Sequence, residues 1–595
     1  MTTGQRFNLP VIGRWFILGS IVGLVSGIGA IIFFLLLQGS SFFFMDYIVG
    51  LRVEETAGEH AIFGHAATEL KRWMIFFVPA FGGLLSGFLV YKFAPEAEGH
   101  GTDAAIKAIH FKNGQISWQV PIIKTFASTI TIGTGGSGGR EGPIAQIGAG
   151  FASFLGSALK LSDREKRILT AAGMGAGVGA IFRSPLAGAI FAAEVLYSSS
   201  DMEYEALLPS TITSIIAYSV FCSVYGWEPL FGTPDFAFQN PAELIGYSIL
   251  GFACALFGWI YVRTFYGIHK AFKKMHVSVY IKPVIGGLLT GCIGFFIPQA
   301  LSGSYSQIEL GMQGQLTIGF IFILIFAKIL TTSFSIGSGG SAGIFGPSMV
   351  IGAAVGGFVG LALNKLVPFI APEPGAYVVV GMAGFFSGIA NTPLSTIIMV
   401  SEMTGNYHLL VPSMWVSTLA FLLLRKTTMY VNQVPMRSES PIHKGEFFVQ
   451  VLQDIKVADV MRPDPIILPE DMKFHDVFQF ISHTKHNNFP VVKDDDVLVG
   501  VLLFEEIREF VFEEGLEDLV VAGEVCEKDV PTILPTSSLA DAIESIGFKN
   551  VELLPVVDPE TRTKLMGIIT RRDIISTYNK VLRKRQSEKT EEVEF

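Results

Sequence analysis

Two short glycine-rich turns carry the residue types with the most distinctive chemistry. One reads Gly138-Gly139-Arg140-Glu141-Gly142-Pro143 and the other Ala342-Gly343-Ile344-Phe345-Gly346-Pro347. Each follows a Gly/Ser-rich stretch, 133–138 and 337–341, and each leads into an apolar segment. A helix that starts after such a turn leaves its first backbone N–H groups without carbonyl partners, and its dipole adds roughly half a positive charge. Glycine places no side chain over those donors, so the turns suit an anion that has lost its water. Burying an isolated charge costs tens of kcal/mol by Born estimates. Partial charges offset that cost without holding the ion as tightly as a fixed cation would. Glu141 adds a second chemistry, because its carboxylate can take the same donors, exclude the anion, and leave on protonation. A plain capping glutamate, stabilised by the helix dipole by ~0.3–1 kcal/mol, is the alternative that this local pattern leaves open.

The elements that must position these turns read as membrane helices. Half of the 595 residues are hydrophobic and 16% are charged, against ~25% charged in soluble domains, and mean hydropathy is +0.49. Apolar stretches of spanning length fall near 15–45, 75–94, 207–225, 243–266, 281–297, 316–334 and 408–424. Each can cross ~30 Å of hydrocarbon. Between them lie segments that are short or cut by Gly and Pro, at 119–139, 141–159, 168–182, 185–197, 343–365, 376–390 and 393–404. Such pieces are tolerated at membrane depth only where they are buried or line a cavity. The run 15–45 is too long for the apolar core of a secretory leader and is read as a retained span.

This part repeats itself. Gly139 and Gly343 are 204 residues apart, while Gly173-Met174 and Gly381-Met382, Pro185-Leu186 and Pro393-Leu394, and Glu194 and Glu402 are 208 apart. Broken apolar segments at matching places in two halves point to a transport site between them. After about residue 455 the chain becomes charged and repeats again. Asn488-Phe489-Pro490-Val491-Val492 matches Leu553-Leu554-Pro555-Val556-Val557, and Val499-Gly500-Val501-Leu502 matches Met566-Gly567-Ile568-Ile569. The stretch 581–595 has no apolar period and is expected to lack structure.

Other function classes find little support. A net charge of −9 with no long basic run argues against a nucleic-acid partner. Cys222, Cys254, Cys292 and Cys526 have neither metal-site nor disulfide-framework spacing. No nucleophile–base set, metal cluster or phosphate-binding loop stands out, so neither an enzyme nor a required cofactor or metal is expected.

The two turns resemble the signature motifs of the CLC family of chloride channels and chloride/proton antiporters. So do Ser184-Pro185-Leu186-Ala187-Gly188 and Glu402-Met403-Thr404-Gly405-Asn406-Tyr407. The likeness covers about 15–440, and 455–580 resembles a pair of CBS domains. The resemblance implies an all-α polytopic membrane domain of two inverted-topology repeats, with broken and tilted helices, followed by an α/β CBS-pair cytoplasmic domain. The boundaries it suggests are 1–436 for the membrane part (repeats about 15–225 and 243–433), 437–454 for a linker, 455–522 and 523–580 for the CBS domains, and 581–595 for the tail. It also implies a homodimer in membrane lipid with a separate chloride pore in each subunit.

By motif, Glu141 matches the gating glutamate. The backbone N–H groups of Ile344 and Phe345 match central anion ligands, and Tyr430 matches the tyrosine that closes the inner side. His100, Gly101, Arg140, Gly142 and Gly343 complete the anion-contacting set. Lys124 matches a lysine below the pore, where a buried cation raises local anion concentration; a lysine snorkelling to the surface is the alternative. Two positions depart from the family. Gly99-His100-Gly101-Thr102-Asp103 stands where Gly-Ser-Gly-Ile-Pro is usual. His100 then either offers an imidazole N–H to the anion, with titration near neutral pH, or turns away and leaves its backbone to serve. Val195, beside Glu194, fills the slot of a proton-relaying glutamate. Valine carries no proton, which favours a passive gated chloride channel, with a chloride/proton antiporter as the alternative. A water chain, Glu194 or His100 could replace the lost relay. A receptor without flux is a third reading, against which the intact pair of turns speaks.

In the CBS pair, Thr570 and Asp573 match the nucleotide-contacting residues, whereas Leu503 and Glu506 stand in those slots of the first copy. An adenine-nucleotide sensor (ATP, ADP or AMP) and a structural module without ligand both fit. Arg6 and Arg14 at one end, with Arg425, Lys426, Arg437 and Lys444 at the other, place both termini in the cytoplasm of a multi-pass plasma (inner) membrane protein.

Overall fold

A computed structural model describes residues 9–52, 56–59, 62–64, 69–443, 448, 451–484, 486–503, 520–549 and 551–592. The chain divides into two compact units, Met1–Ile442 and His443–Phe595.

The first unit is built of helices, as its apolar runs predict. In chain order they are α1 (Leu9–Ser41), α2 (Met74–Phe93), α3 (Thr102–Phe111), α4 (Gln119–Gly133), α5 (Glu141–Ala158), α6 (Asp163–Ile181), α7 (Pro185–Glu194) and α8 (Tyr204–Tyr225). There follow α9 (Glu243–Lys274), α10 (Lys282–Phe296), α11 (Ser306–Met312), α12 (Ile318–Gly337), α13 (Phe345–Leu366), α14 (Pro374–Ala390), α15 (Pro393–Thr404) and α16 (Leu410–Leu424). Among the described residues, six helices are long and apolar enough to cross a membrane by length and composition. One of these is Phe345–Leu366, which the sequence reading had grouped with the broken segments. Proline opens α7, α14 and α15, where its missing N–H is no loss and its fixed φ suits the first turn.

Glycine decides how closely the helices cross. A Cβ on Gly148 of α5 would lie 2.2 Å from the Gly173 carbonyl oxygen of α6, and one on Gly352 of α13 would lie 2.6 Å from the Gly381 carbonyl oxygen of α14. The second pair is the first carried forward by 204 and 208 residues. The repeat read from the sequence is therefore a repeat of backbone-to-backbone packing.

The second unit is α/β. Its three-stranded sheet has the order β1 (Leu468–Pro469), β2 (Asn488–Lys493), β3 (Val497–Leu503), with β1 parallel to β2 and β2 antiparallel to β3. Strands β4 (Leu553–Val557) and β5 (Leu565–Thr570) form an antiparallel pair. The two copies share register: Val491 faces Gly500 as Val556 faces Gly567, and Leu468 pairs with Val491 as Ile533 pairs with Val556. The helix Arg571–Glu592 runs on through residues 581–592, which the sequence was expected to leave unstructured. Its Arg, Lys, Gln and Glu residues are good helix formers in their own right, so helix is favoured there without an apolar face.

Candidate functional site

The two glycine turns meet. Gly139 N–H donates to the Gly343 carbonyl and Gly343 N–H to the Gly139 carbonyl, both at 2.7 Å. This brings the starts of α5 and α13 together inside the first unit. Close approach needs glycine here, since a Cβ on Gly343 would lie 2.8 Å from both the Gly139 oxygen and the Gly142 nitrogen. Gly343 was expected among the anion-contacting residues, and its N–H is engaged in joining the turns. Ile344 and Phe345 stand at the start of α13, where a helix supplies no carbonyl for its first N–H groups.

Glu141 is the first residue of α5 and is 1% exposed. Its Oε2 accepts the Gly346 N–H of α13 at 3.1 Å, and its Oε1 accepts the Tyr305 hydroxyl. The carboxylate therefore reaches across to the opposing helix start instead of merely capping its own. Arg140 points elsewhere. It forms an ion pair with Glu59, and its guanidinium lies 5.0 Å from the ring centres of both Phe34 and Tyr305. A cavity of about 120 Å³ adjoins it, lined in part by Glu59, Arg140, Ser302, Ser304 and Tyr305.

The loop Gly99-His100-Gly101 lies against the same centre. A Cβ on Gly142 would sit 2.0 Å from the His100 carbonyl oxygen, and Gly101 takes φ +86°, a conformation open mainly to glycine. The His100 ring centre is 5.5 Å from that of Tyr430. His100 Nδ1 and the Tyr430 hydroxyl are both buried and without a hydrogen-bond partner among the described residues. Buried polar atoms are rarely left so, and these two converge beside the helix starts. A second cavity, of about 530 Å³, is lined in part by His100, Gly101, Lys107, His269 and Lys273.

Lys124 is fully buried, which rules out snorkelling to the surface. Its Nζ donates to the Ala97 carbonyl at 3.0 Å and the Gly99 carbonyl at 2.7 Å, so it anchors the loop that carries His100. Asp103 explains the departure from proline. It accepts the Asn432 N–H at 2.8 Å and the Asn432 side-chain amide, and so ties the segment after Tyr430 to α3.

Val195 follows α7, is fully buried, and gives its carbonyl to Gln433 Nε2 at 3.0 Å. Glu194 is already committed. Its carboxylate accepts the N–H groups of Leu394 and Ser395 at 2.9 and 2.8 Å and the Ser395 hydroxyl at 2.5 Å. Glu402 does the same for α7, accepting the Ser184 hydroxyl at 2.5 Å and the Ala187 N–H at 3.1 Å. Each glutamate caps the helix that carries the other, as the 208-residue repeat allows.

In the second unit, Thr570 and Asp573 face each other. The Thr570 hydroxyl donates to Asp573 Oδ2 at 2.6 Å, and Arg462 donates to Oδ1 at 2.6 Å. Burial raises the Asp573 carboxyl, but the bonds from Arg462 and Thr570 outweigh it and hold the group below its ordinary value. An adjoining cavity of about 920 Å³ is rich in cations, among them Arg462, Arg571, Arg572, Lys580 and Arg583. Glu506 lies outside the described residues.

Sequence reading missed Tyr305 and Lys328. Lys328 was within reach, because it stands 204 residues after Lys124, the spacing of the glycine turns. No local signal marks Tyr305, which reaches Glu141 across 164 residues of chain.

Both parts of the chain are similar to known proteins. The family model for the voltage gated chloride channel matches residues 82–425, and that for the CBS domain matches 457–513 and 522–580. The H(+)/Cl(-) exchange transporter ClcA of Vibrio cholerae is 29% identical over 349 residues, which covers 58% of this chain and 75% of that protein. The chloride channel protein CLC-f of Arabidopsis thaliana is 27% identical, across 83% of this chain and 72% of its own. A slow cyanobacterial Cl-/H+ antiporter of known crystal structure shares the fold with a TM-score of 0.60 at 23% identity, covering 69% of this chain and 94% of that one.

Proposed function

This chain belongs to the voltage gated chloride channel family, and from that premise we propose that it exchanges chloride for protons across the membrane, with Glu141 as the group that both blocks the anion path and carries the proton. It is a multi-pass membrane protein of anion transport, not an enzyme. One observation carries the reading: a buried carboxylate accepts the Gly346 N–H at the opposing helix start, where an anion would be held. An ionised Glu141 competes with the anion for those donors. Protonation cancels its charge, weakens its bonds and frees the place. The Tyr430 hydroxyl and, in the tautomer that carries its proton there, His100 Nδ1 are the donors left over on the other face, with the N–H groups of Ile344 and Phe345 and the loop glycines Gly101 and Gly142 around them. Lys124 and Arg140 bias the path toward anions by position and charge, without gripping the ion. Relatives described as exchange transporters support coupling over passive flow.

A passive gated channel is the second reading, and it rests on Val195. A side chain without a titratable proton stands in the relay slot, and neighbouring Glu194 is occupied as a cap. Recording chloride and pH together during efflux from liposomes decides between them. A fixed proton-to-chloride ratio is the expected result. Chloride efflux with no proton movement would establish the channel.

Around this core we place a homodimer with one pore per subunit, both termini in the cytoplasm of the plasma (inner) membrane, and the domain limits 1–436, 455–522 and 523–580. The cationic cavity beside Thr570 and Asp573 suits the phosphates of an adenine nucleotide such as ATP, ADP or AMP.

A further inference from the structure

Lys328 does for one segment what Lys124 does for the His100 loop. Both are fully buried. The Lys328 Nζ donates to the Ser302 carbonyl at 2.7 Å, the Ser304 hydroxyl at 2.8 Å and the Ala300 carbonyl at 3.3 Å. The correspondence extends to the turns. Gly99 bridges Ser341 next to the second glycine turn, and the Ser302 carbonyl accepts Gly138 N–H of the first at 3.4 Å. Ser302-Gly303-Ser304 is thus the repeat counterpart of Gly99-His100-Gly101. Where the first copy brings an imidazole to the anion centre, the second brings Tyr305. Its hydroxyl donates to Glu141 Oε1. A Cβ built on Gly346 would lie 2.1 Å from that hydroxyl oxygen, so the phenol stands at the start of α13.

We propose that Tyr305, set in place by the Lys328-anchored segment, is a donor site at the Glu141 end of the anion path: it latches ionised Glu141 in the blocking position and donates to the anion that replaces the carboxylate. The inference rests on Glu141 being the gate. A hydroxyl bonded to a carboxylate makes a charge-assisted bond, roughly twice as strong as a neutral one. Protonation of Glu141 removes that advantage, and an arriving anion restores it for the hydroxyl alone. The carboxylate is faced by Arg140 and, beyond it, Glu59 on the cavity side, by Tyr305, and by Tyr430 on the His100 side. Replacing Tyr305 with Phe leaves all these charges unaltered and removes one donor. Lys328 acts through the segment it holds and is a positioning residue.

The test is chloride flux from liposomes as a function of pH, for wild type, Tyr305→Phe, Glu141→Gln and the double variant. Tyr305→Phe should move the midpoint of the pH profile about one unit to higher pH, because the ionised carboxylate has lost a charge-assisted donor. In the Glu141→Gln background it should leave the flat profile flat and raise the chloride concentration for half-maximal flux several-fold. Ser304→Ala, which takes one acceptor from Lys328, should shift the midpoint the same way by a smaller step. A midpoint unmoved by Tyr305→Phe, while Glu141→Gln still abolishes pH dependence, overturns the latch. Glu141→Gln without effect overturns the gate itself, and the proposed function with it.

Discussion

Glu141 opens α5 where the repeat places Phe345 at the opening of α13, so two helix starts with matching glycine turns present different side chains to one centre. The Phe345 ring is wedged between aromatic neighbours, with centroid distances of 4.7 Å to Phe182 and 4.0 Å to Phe386. Glu141 is held by hydrogen bonds from Tyr305 and Gly346. Packed rings stay where dispersion and exclusion of water put them, whereas hydrogen bonds to a carboxylate change with its charge. The repeated backbone supplies the donors twice. In the proposed reading, the difference in side chain makes one start a wall and the other a movable stopper. Two carboxylates at this distance would repel and raise each other's proton affinity, which is a reason for only one of the starts to carry a glutamate.

That contrast can be broken at either side. Glu141→Gln should have the largest functional effect: proton movement falls below detection and chloride flux loses its pH dependence, as read by joint chloride and pH recording. The same variant should leave the melting temperature nearly unmoved. Phe345→Ala should do the reverse to stability, with a loss of ~3–5 kcal/mol, as for aromatic truncation in a packed core, seen as a large drop in melting temperature of the detergent-solubilised protein. Equal stability in the two variants would dissolve the distinction between wall and stopper.

The crossings beneath the two starts sharpen the comparison. Gly148→Ala and Gly352→Ala should each destabilise by ~1–3 kcal/mol, because each Cβ meets a carbonyl oxygen of the adjacent helix, 2.2 and 2.6 Å away. A tolerated change at one and not the other would show that the halves are packed differently. Smaller losses, about 1 kcal/mol each, are expected for Glu194→Gln and Glu402→Gln, the two reciprocal caps. The proton-to-chloride ratio should be unchanged by Glu194→Gln, and its loss would make Glu194 a relay after all.

The smallest effect belongs to the second unit and to acid. Asp573 is held below its ordinary value in the folded protein. Its contribution is therefore present above the unfolded value, ~3.9, and fades as pH falls through the folded value. Thermal unfolding followed from pH 7 to pH 3 should show wild type losing slightly more stability than Asp573→Asn in the acid range. Parallel curves would mean that the Arg462 pair contributes nothing measurable, as many exposed pairs do.

Much of the arrangement was legible in the residues. The 204- and 208-residue offsets pointed to two halves meeting at one site, and the glycine crossings and the caps made by Glu194 and Glu402 follow the same offsets. The match of Val491 with Val556 foretold the shared strand register. What escaped reading lies in side chains whose partners are far along the chain. Arg140 adjoins Glu141 in sequence yet pairs with Glu59. Gly343 carries a family motif yet gives its N–H to Gly139. Asp103 stands where proline is usual, and its partner Asn432 lies far along the chain.

The sequence alone determined that the first part is built of apolar helices, which turns are free of side chains, and that one carboxylate sits at such a turn, because these follow from residue type and spacing along a few turns of chain. Only the tertiary structure decided which of the exposed N–H groups stay unpaired, and that Tyr305 and Lys328 belong to the site. Whether a donor is free depends on what some other segment, as far along the chain as Asp103 is from Asn432, brings within 3 Å of it, and no local pattern encodes that distance.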